Sequence, residues 1–586
     1  MRQWMVAAKK ADFYAIAEKF HVDPVVARII RNREVIGEKN IRIYLGGNLS
    51  DLSDPHQMKD MDRLVEILAQ KIRKQVHIRI IGDYDVDGVT SSHLFLTALR
   101  RVGAKVDVVI PHRIQDGYGL SLHLLQQAKE DGVDTILTCD NGIAAIDEIA
   151  WAKAQKMTVL VTDHHAVPFE EHEGRRTEKK SLADAVVNPH QQDCGYPYKE
   201  LCGAGVAWNV IRVLYENYDM DKREAEDLLD FVAMATVCDV MSLTGENRIL
   251  VKEGLKRIRH TKNIGLQALM QACNVQPENI SAYHFGYVLG PCVNATGRLD
   301  TARHALRLFE TGQETEAEEI ARDLVDLNQE RKELTLQGVE MAKKLCEEGG
   351  YENDPVLVLF LPDVHESIAG LIAGRIREMY NRPVFVLTRG EEGVKGSGRS
   401  TENYSMYENM CGCAELFTKF GGHPMAAGVS LPEENVEKFR RKINENCPLT
   451  VEEVCPDIHI DMAMPVGYAS TELVHQFALL EPFGKDNPSP LFADRNLSIS
   501  RMWVIGKNRN VLRMSVLSEY GQPVPVIFFG DVETLFAYFT EKFGQEEVEN
   551  ALHGRKNRIL FSMVYTAKID FYQGNENLQL EMKYYR

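Results

Sequence analysis

The sequence lacks any apolar run long enough to cross a membrane and any pattern of paired cysteines. No segment reaches the roughly 18 apolar residues of a membrane-spanning helix. The 11 cysteines are scattered along 586 residues and include no CxxC pair, so we expect reduced thiols rather than a disulfide framework. The first residues carry charges throughout and lack the apolar centre of a secretory signal. We therefore predict a cytoplasmic protein without a membrane partner.

Basic residues are in deficit. The chain has 68 Lys and Arg against 85 Asp and Glu, a formal net charge of −17. Such a charge repels polyanions at long range and argues against a general nucleic-acid binder, although a local basic cleft stays compatible with it. The composition, with 44% hydrophobic residues, is that of a globular protein, and the length predicts three or four domains.

Hydrophobic periodicity divides the chain into five parts. Strands alternating with helices predict a parallel, doubly wound α/β sheet, followed by a helical region that ends in a long connector helix. A second α/β unit with two glycine-rich stretches follows, and β-branched and aromatic runs then predict a small β-barrel domain of OB-like type. The predicted boundaries are an N-terminal segment at 1–72 packed on the first α/β domain, that domain at 73–245, the helical region and connector at 246–350, the second α/β domain at 351–452, and the β domain at 453–586.

Acids or imidazoles follow three of the predicted strands. The strand VHIRII runs into GDYDVDG at 82–88, DTILTC runs into Asp140-Asn-Gly, and TVLVT runs into Asp163-His-His. The carboxyl ends of parallel strands share one edge, where ligands bind in open α/β sheets. A single Asp after a strand is usually a turn former or a helix cap. Three clusters at corresponding positions instead predict one shared site.

The residue types in these clusters point to metal chemistry. Converging carboxylates raise each other's pKa unless a cation neutralises them. Carboxylates mixed with imidazole suit Mn²⁺, Fe²⁺, Co²⁺ or Zn²⁺, whereas Mg²⁺ prefers oxygen ligands alone. Five or more candidate ligands are more than one ion needs if it keeps coordination positions open for water and substrate. The pattern therefore predicts two divalent ions, about 3.5–4 Å apart, acting on a phosphoryl centre.

The motifs GDYDVDG, CDNG and TDHH, in this order, resemble those of the DHH phosphoesterase family, and ATVCDVMSL supplies a fourth expected acid, Asp239. The resemblance spans nearly the whole chain and is strongest to single-strand-specific exonucleases of that family. It implies a DHH-type domain, a DHHA1-type second α/β domain and a trailing OB-like domain. It also implies 5′→3′ degradation of single-stranded DNA to mononucleotides by two-metal hydrolysis, in DNA repair and recombination. Mn²⁺ is the expected metal, with Mg²⁺ as the alternative.

The same resemblance implies a monomer whose partners are a single-strand-binding protein and a RecQ-like helicase. An alternative within the fold is a phosphodiesterase that acts on short oligonucleotides or cyclic dinucleotides; the additional domains favour a polymer instead. A second alternative, an inactive scaffold for repair factors, should have lost metal ligands. Every expected acid and both histidines are present here.

The resemblance implies roles for individual residues. One metal is expected to bind Asp83, Asp85 and Asp140, and the other Asp87, Asp140, His164 and Asp239, with Asp140 as the bridge. The residues expected to act at the reacting phosphate are Asp85, Asp140 and His165. His165 is expected to face the scissile phosphate, and Asp163 to orient a metal-binding imidazole from behind it.

Further residues are candidates for binding phosphate. Arg113 ends the second strand at the edge that carries the metal motifs, where a surface salt bridge is an equally good reading from the residue alone. The stretch KGSGRS flanks its polar residues with glycines, which lets backbone N–H groups approach an anion, although a tight turn would also explain it. By resemblance the phosphate-binding set is Arg113, Asn294, Arg298, Ser397, Arg399 and His423. Arg113, Ser397 and Arg399 are expected to bind the 5′-terminal phosphate.

Overall fold

The structure is a computed structural model. It describes residues 3–113, 116, 119–172, 175–299, 301–390, 393–506, 510–572 and 574–586. The described chain forms two compact units. The larger unit comprises Asn48–Pro456, and the smaller one comprises Gln3–Gly47 together with Asp457–Arg586.

A five-stranded parallel sheet forms the first domain of the larger unit. Its strands, in spatial order, are Lys105–Val109, His77–Ile81, Thr135–Cys139, Thr158–Thr162 and Ala185–Val187. The runs of Ile, Val and Leu that form the central strands are buried on both faces, as expected for a parallel sheet covered by helices. The next strand along the chain, Lys105–Val109, lies on one side of His77–Ile81, and the strand after it, Thr135–Cys139, lies on the other side. That reversal places a topological switch point, where ligands bind, beside this strand.

Helices cover this sheet and continue beyond it. Those of the sheet domain are Met61–Arg73, Val86–Arg101, Leu122–Glu130, Ile146–Ala154 and Gly203–Asn217, and a short hairpin pairs Phe169–His172 with Arg175–Glu178. The helices that follow are Lys222–Glu226, Leu229–Cys238, Gly245–Ile258, Ile264–Ala272, Ala282–His284, Gly290–Leu299 and Arg303–Glu310, with a π-helical turn at Phe285–Leu289.

The predicted connector helix is confirmed as Glu314–Glu348, a helix of 35 residues. At about 1.5 Å per residue it is roughly 50 Å long. Ala317 and Leu324, near its start, pack into the core of the first domain. Val339 and Ala342, near its end, pack into a separate core. The helix therefore belongs to the cores of both α/β domains.

The second α/β domain contains a five-stranded mixed sheet. Its spatial order is Lys419–His423, Ala426–Leu431, Val394–Arg399, Val384–Arg389 and Leu357–Phe360, and only the last pair is parallel. The helices of this domain are Ala369–Tyr380, Met406–Cys411 and Val436–Glu445. The predicted second α/β domain is thus confirmed, and the glycine-rich segment 394–399 is one of its central strands.

The smaller unit contains the predicted OB-like barrel. Its sheet has the order Met462–Ala463, Phe492–Ile505, Val511–Leu517, Pro523–Phe529, Asn575–Tyr585 and Leu560–Tyr572, and the second strand also pairs with the last, which closes a barrel. The remaining elements are the strand pair Trp4–Val6 and Ile458–Ile460 and the helices Phe13–Phe20, Pro24–Asn32, Glu38–Gly46, Thr471–Phe477, Val532–Phe543 and Gln545–Leu552. Among the described helices, none is long and apolar enough to span a membrane.

Residues 3–47, predicted as part of an N-terminal segment at 1–72 packed on the first α/β domain, belong to the smaller unit. The helix Pro24–Asn32 buries Val26 and Ile30 in the same core as Val466 and Phe477 of the smaller unit. Such a contact joins residues more than 400 positions apart, and helical periodicity shows which face is apolar without showing what covers it. Only the part from Asn48 onward belongs with the first domain.

One buried histidine makes the stability of the first domain sensitive to acid. His93 lies in the helix Val86–Arg101, with its ring centroid 4.5 Å from that of Phe231 and 5.8 Å from that of Phe309. Burial, with a smaller effect from the charge of Arg100, lowers the pKa of His93 to about 3. The folded protein therefore keeps this imidazole neutral where the unfolded chain, with an ordinary pKa of about 6.5, takes up a proton.

Acidification should consequently destabilise the fold through His93. The loss in free energy of unfolding due to His93 is absent above pH ~6.5. Below that pH it grows by about 1.4 kcal/mol per pH unit, to roughly 2 kcal/mol at pH 5. The variant His93→Leu should lose this part of the acid sensitivity. Melting temperatures at pH 7 and pH 5, in chelator, would measure it, with the exposed His123→Gln as the matched control. An equal drop in wild type and His93→Leu would contradict the prediction.

Candidate active site

The loop after the strand His77–Ile81 carries three aspartates in a tight turn. Asp85 caps the following helix, and its Oδ1 accepts a hydrogen bond from the backbone N–H of Gly88 at 3.0 Å. A Cβ on Gly88 would lie 2.5 Å from the backbone N and O of Asp83, so only glycine permits this close approach. Asp83 and Asp87 are both buried. The turn thus directs carboxylates into the protein rather than toward solvent.

The carboxylate of Asp87 is held by the N-terminus of the helix Gly203–Asn217. Its Oδ2 accepts a hydrogen bond from the N–H of Gly203 at 2.6 Å, and its Oδ1 accepts one from Ala204 at 2.8 Å. A negative charge at this end of a helix is stabilised by the unpaired N–H groups and the helix dipole. Two backbone donors therefore fix the orientation of Asp87.

Asp140 adopts a left-handed backbone at the end of the strand Thr135–Cys139. Its φ is 61°, a conformation that costs most residues on the order of 1 kcal/mol and that Asp and Asn tolerate better than others. A Cβ on Gly203 would lie 2.6 Å from the Cβ of Asp140. The start of the helix Gly203–Asn217 thus approaches both Asp140 and Asp87, and glycine makes room for it.

Asp163 anchors the histidine pair. Its Oδ1 accepts hydrogen bonds from the backbone N–H groups of His164, at 2.7 Å, and His165, at 3.1 Å, and its Oδ2 accepts one from Ile143 at 2.9 Å. The same Oδ1 lies 2.7 Å from the ring Nδ1 of His165. The imidazole that Asp163 orients was predicted to be a metal-binding one. The ring that it holds is that of His165, the residue expected to face phosphate.

The three strand-end motifs and Asp239 converge. Two groups bring their ligand atoms within 4.8 Å of one another, Asp83–Asp85–Asp140 and Asp87–His164–Asp239, and a third joins Asp140, His164 and His165. The Nε2 of His164 lies 3.1 Å from Asp140 Oδ1 and 3.6 Å from the Oδ2 atoms of Asp87 and Asp239. Asp140 therefore lies between the two groups, in the place expected of a bridging ligand.

The electrostatics of this cluster favour a bound cation. Burial raises the pKa of Asp140 well above its usual value, and the charges of Asp87 and Asp85 raise it further. Burial likewise raises the pKa of Asp83, to which the charge of Asp85 adds. Burial lowers the pKa of His164, although the charge of Asp87 opposes this effect. The lowered pKa favours the neutral imidazole, which is the form that binds metals.

The polar atoms of the cluster also fit divalent metal ions. Asp83 Oδ1 and His164 Nε2 are buried and have no hydrogen-bond partner among the described residues. Buried polar atoms nearly always have a hydrogen-bond partner. Two unpaired atoms within one carboxylate–imidazole cluster therefore point to a bound ligand. The donor set combines carboxylate oxygens with imidazole nitrogen, as Mn²⁺ accepts.

A cleft of about 500 Å³ lies in the same unit and joins both α/β domains. Its lining includes Tyr84 and Arg113 from the first domain and Ser367, Lys395 and Ser397 from the second. The guanidinium of Arg113 lies over the ring of Tyr84, 4.9 Å from its centroid. The cleft thus begins in the motif that carries Asp83 and Asp85.

Arg113, which lines this cleft, lies close enough to Arg298 and Arg399 for the three charges to repel one another. Burial lowers the pKa of Arg298 to about 10, and the charges of Arg113 and Arg399 contribute. Burial also lowers the pKa of Arg399, with a contribution from Arg113. A Cβ on Gly370 would lie 2.8 Å from Nη2 of Arg399, so this guanidinium rests against the first turn of the helix Ala369–Tyr380. Clustered cations beside a helix N-terminus suit an anionic group.

Two other predicted phosphate-binding residues lie in different surroundings. The side-chain oxygen of Asn294 accepts a hydrogen bond from the backbone N–H of Val86 at 3.2 Å, so Asn294 supports the loop that carries the aspartates. His423 is exposed at the end of the strand Lys419–His423. It is absent from the described lining of the cleft, which takes Lys419 and Gly421 from that strand.

Sequence reasoning missed Tyr84, Lys395 and Lys419 as residues of the cleft. Tyr84 lies inside the first aspartate motif, and Lys395 begins the glycine-rich stretch KGSGRS, so both lie in segments that the sequence analysis identified as functional candidates. Their proximity to Arg113 depends on how the two domains pack, which no local pattern encodes.

Three family models match the chain in order. The N-terminal domain of the DHH family matches residues 77–236, the DHHA1 domain matches 353–447, and the RecJ OB domain matches 460–584. Together with the carboxylate–imidazole cluster at the edge of the parallel sheet, they define a DHH-family phosphoesterase fold.

Individual relatives narrow this class. The chain is 32% identical over 582 residues to the single-stranded-DNA-specific exonuclease RecJ of Haemophilus influenzae, covering 96% of each chain. It is 33% identical to that of Bacillus subtilis, covering 87% of this chain and 63% of the relative. A crystal structure of RecJ in complex with Mn²⁺ from Thermus thermophilus superposes with a TM-score of 0.81 at 25% identity, covering 100% of this chain and 79% of that one. The chain belongs to the RecJ family of single-stranded-DNA-specific exonucleases.

Proposed function

We propose that the protein is a metal-dependent exonuclease that degrades single-stranded DNA from its 5′ end to mononucleotides. The observation that carries the proposal is the pair of ligand groups that meet at Asp140, in the unit that also holds a cleft lined by Arg113, with Arg298 and Arg399 clustered beside Arg113. Metal ligands supply the hydrolytic chemistry, and the arginines supply affinity for phosphate.

Two divalent cations are the proposed cofactors, with Mn²⁺ favoured over Mg²⁺ because a neutral imidazole is among the ligands. The proposed ligands are Asp83, Asp85 and Asp140 for one ion, and Asp87, Asp140, His164 and Asp239 for the other. When bound, such a pair lowers the pKa of water and neutralises charge on phosphoryl oxygens.

His165 is proposed to stabilise the charge that develops on the scissile phosphate. Burial opposes protonation of its ring, but the hydrogen bond and charge of Asp163 outweigh burial and raise the pKa of His165 to about 9. A protonated ring held in place by Asp163 presents its other nitrogen as a fixed, charge-assisted donor. Asp163 thus acts by positioning His165.

The cleft is proposed to set the direction of digestion. Arg113 and Ser397, which line the cleft, and Arg399, whose charge interacts with that of Arg113, would bind the phosphate at the 5′ terminus, while the next phosphodiester reaches the carboxylate cluster. Attack by water on that phosphorus then expels the 3′-oxygen of the terminal nucleotide. Each cycle releases one mononucleotide and leaves a new 5′-phosphate for the next cycle.

The cellular role follows from the same proposal. An enzyme of this kind would act in the cytoplasm as a monomer in DNA repair and recombination. Its acidic net charge of −17 disfavours unaided capture of DNA, so recruitment by a single-strand-binding protein or a RecQ-like helicase would raise its local concentration on substrate.

The proposal is tested by digesting a 3′-labelled single-stranded oligonucleotide in Mn²⁺. Labelled products should shorten progressively from the 5′ end, faster with a 5′-phosphate than with a 5′-hydroxyl, and chelator should stop the reaction. A duplex with blunt ends should resist. Cleavage of di- or trinucleotides without shortening of the oligonucleotide would favour the small-substrate phosphodiesterase, and inactivity on every phosphodiester would favour a scaffold.

A further inference from the structure

Two free cysteines outside the metal cluster are in direct contact. The sulfur atoms of Cys273 and Cys292 lie 3.7 Å apart. Cys273 is half-buried at the C-terminal cap of the helix Ile264–Ala272, and Cys292 is buried in the helix Gly290–Leu299. A disulfide has an S–S distance of about 2.05 Å, so the sulfurs need to approach by only a further ~1.7 Å.

Cys273 is the cysteine of the pair that a small oxidant can reach, because Cys273 is half-buried and Cys292 is buried. The contact with Cys292, and then the charge of Lys332, lower the pKa of Cys273 against the opposing effect of burial, and the same contact raises the pKa of Cys292. Burial instead raises the pKa of other thiols, such as Cys139 and Cys238. The thiolate is the form that attacks peroxides, and a half-buried position leaves it reachable by a small oxidant.

Polar contacts hold the second cysteine in place. The amide Nδ2 of Asn328 donates a hydrogen bond to Cys292 Sγ at 3.3 Å. Arg331 fixes that amide, because its Nη2 donates to Asn328 Oδ1 at 2.8 Å. Both residues lie on the connector helix Glu314–Glu348. These contacts hold the Cys292 sulfur 3.7 Å from the Cys273 sulfur, which it would attack once Cys273 is oxidised.

The helix of Cys292 also carries residues of the proposed active site. Asn294, two positions further on, accepts the hydrogen bond from Val86 at the start of the aspartate-bearing helix. Arg298 donates from Nη1 to the backbone oxygen of Ser367 at 2.8 Å, across to the second α/β domain. A shift of this helix would therefore disturb both the metal loop and the cleft.

We propose that Cys273 and Cys292 form an oxidation site at which a peroxide converts the two thiols into a disulfide that lowers exonuclease activity. The activity part rests on the proposed function; the disulfide itself does not. The Cys273 thiolate attacks one peroxide oxygen, the O–O bond breaks, and a sulfenic acid forms with release of water after protonation. Cys292 sulfur then attacks that sulfur, and the hydroxyl leaves as a second water. Two thiols and one hydrogen peroxide thus yield one disulfide and two waters.

The chemical part is tested on the full-length protein without metal ions. The reduced protein is exposed to hydrogen peroxide in chelator, alkylated under denaturing conditions and analysed by mass spectrometry. We expect peptide mapping to find a disulfide that links Cys273 to Cys292 at a peroxide dose that leaves the other nine of the 11 cysteines open to alkylation. No such link, at a peroxide dose that already oxidises the exposed Cys411, would overturn the proposal whether or not the protein is a nuclease.

The functional part compares the oxidised and reduced proteins on single-stranded DNA after peroxide is removed and Mn²⁺ is added. Oxidation should lower kcat/KM by about tenfold or more, because a misplacement of about 1 Å at an active site can cost on the order of 100-fold, and a thiol reductant should restore it. Cys273→Ser should retain basal activity and lose the sensitivity, whereas Cys411→Ser should stay sensitive. A mapped disulfide without loss of activity, or equal sensitivity in Cys273→Ser, would overturn the regulatory claim.

Discussion

Asp140→Asn is expected to lower kcat on single-stranded DNA by at least about 10³-fold while leaving the protein folded. Asp140 belongs to the group with Asp83 and Asp85 and lies 3.1 Å from His164 of the other group. Because it is the proposed bridge, its loss should affect both proposed metals at once, and removal of a central catalytic group commonly costs this much or more. Asparagine is the informative replacement because it tolerates the left-handed backbone at φ 61° better than alanine does. Initial rates with 3′-labelled oligonucleotides in Mn²⁺ would measure the loss.

The same variant should separate the metal role from a structural one. Burial and neighbouring carboxylates raise the pKa of Asp140, so its charged form destabilises the metal-free fold. In chelator, Asp140→Asn should therefore melt at the same temperature as the wild type or higher. Added Mn²⁺ should stabilise the wild type and have a smaller effect on the variant. The matched control is Asp147→Asn, an exposed aspartate of the same domain. Activity of Asp140→Asn within tenfold of wild type would contradict the prediction.

Arg399→Gln is expected to remove most of the preference for a 5′-phosphate. The guanidinium lies beside Arg113 and against a helix N-terminus, and one charge-assisted hydrogen bond to phosphate is worth about 1.5–3 kcal/mol, or roughly 10- to 100-fold in kcat/KM. That loss should appear on 5′-phosphorylated DNA and be small on DNA with a 5′-hydroxyl. The measurement is the ratio of the two kcat/KM values in wild type and variant.

A suitable control is Arg389→Gln, because Arg389 lies on the neighbouring strand, is exposed, and pairs with Glu433 at 2.9 Å. Its substitution should leave the ratio unchanged. An equal loss on both substrates with Arg399→Gln would assign Arg399 to general binding of the strand. An unchanged ratio would remove it from the terminal-phosphate site.

The metal motifs could be predicted from sequence because their signal is local. Each strand is a short apolar run, each motif follows at its end, and a parallel sheet brings such ends to one edge. Other features depend on contacts between distant segments. The partner of the Asp163 carboxylate, the support of the aspartate loop by Asn294 and the place of residues 3–47 all follow from packing. A motif identifies the chemistry of a site. It does not show which of two adjacent histidine rings a carboxylate contacts or which core a helix covers, because these depend on the three-dimensional packing.

The carboxylate of Asp87 joins the first aspartate loop to the amides of Gly203 and Ala204, 116 and 117 positions away along the chain. A substitution at this position would therefore remove a clamp between two segments together with a candidate metal ligand. Amide hydrogen exchange at the start of the helix Gly203–Asn217 should accelerate in Asp87→Ala even in chelator. Asp83 makes no such connection to that helix among the described contacts. Loss of activity at Asp87 would thus combine a local folding defect with a chemical one, and loss at Asp83 would report the chemistry more directly.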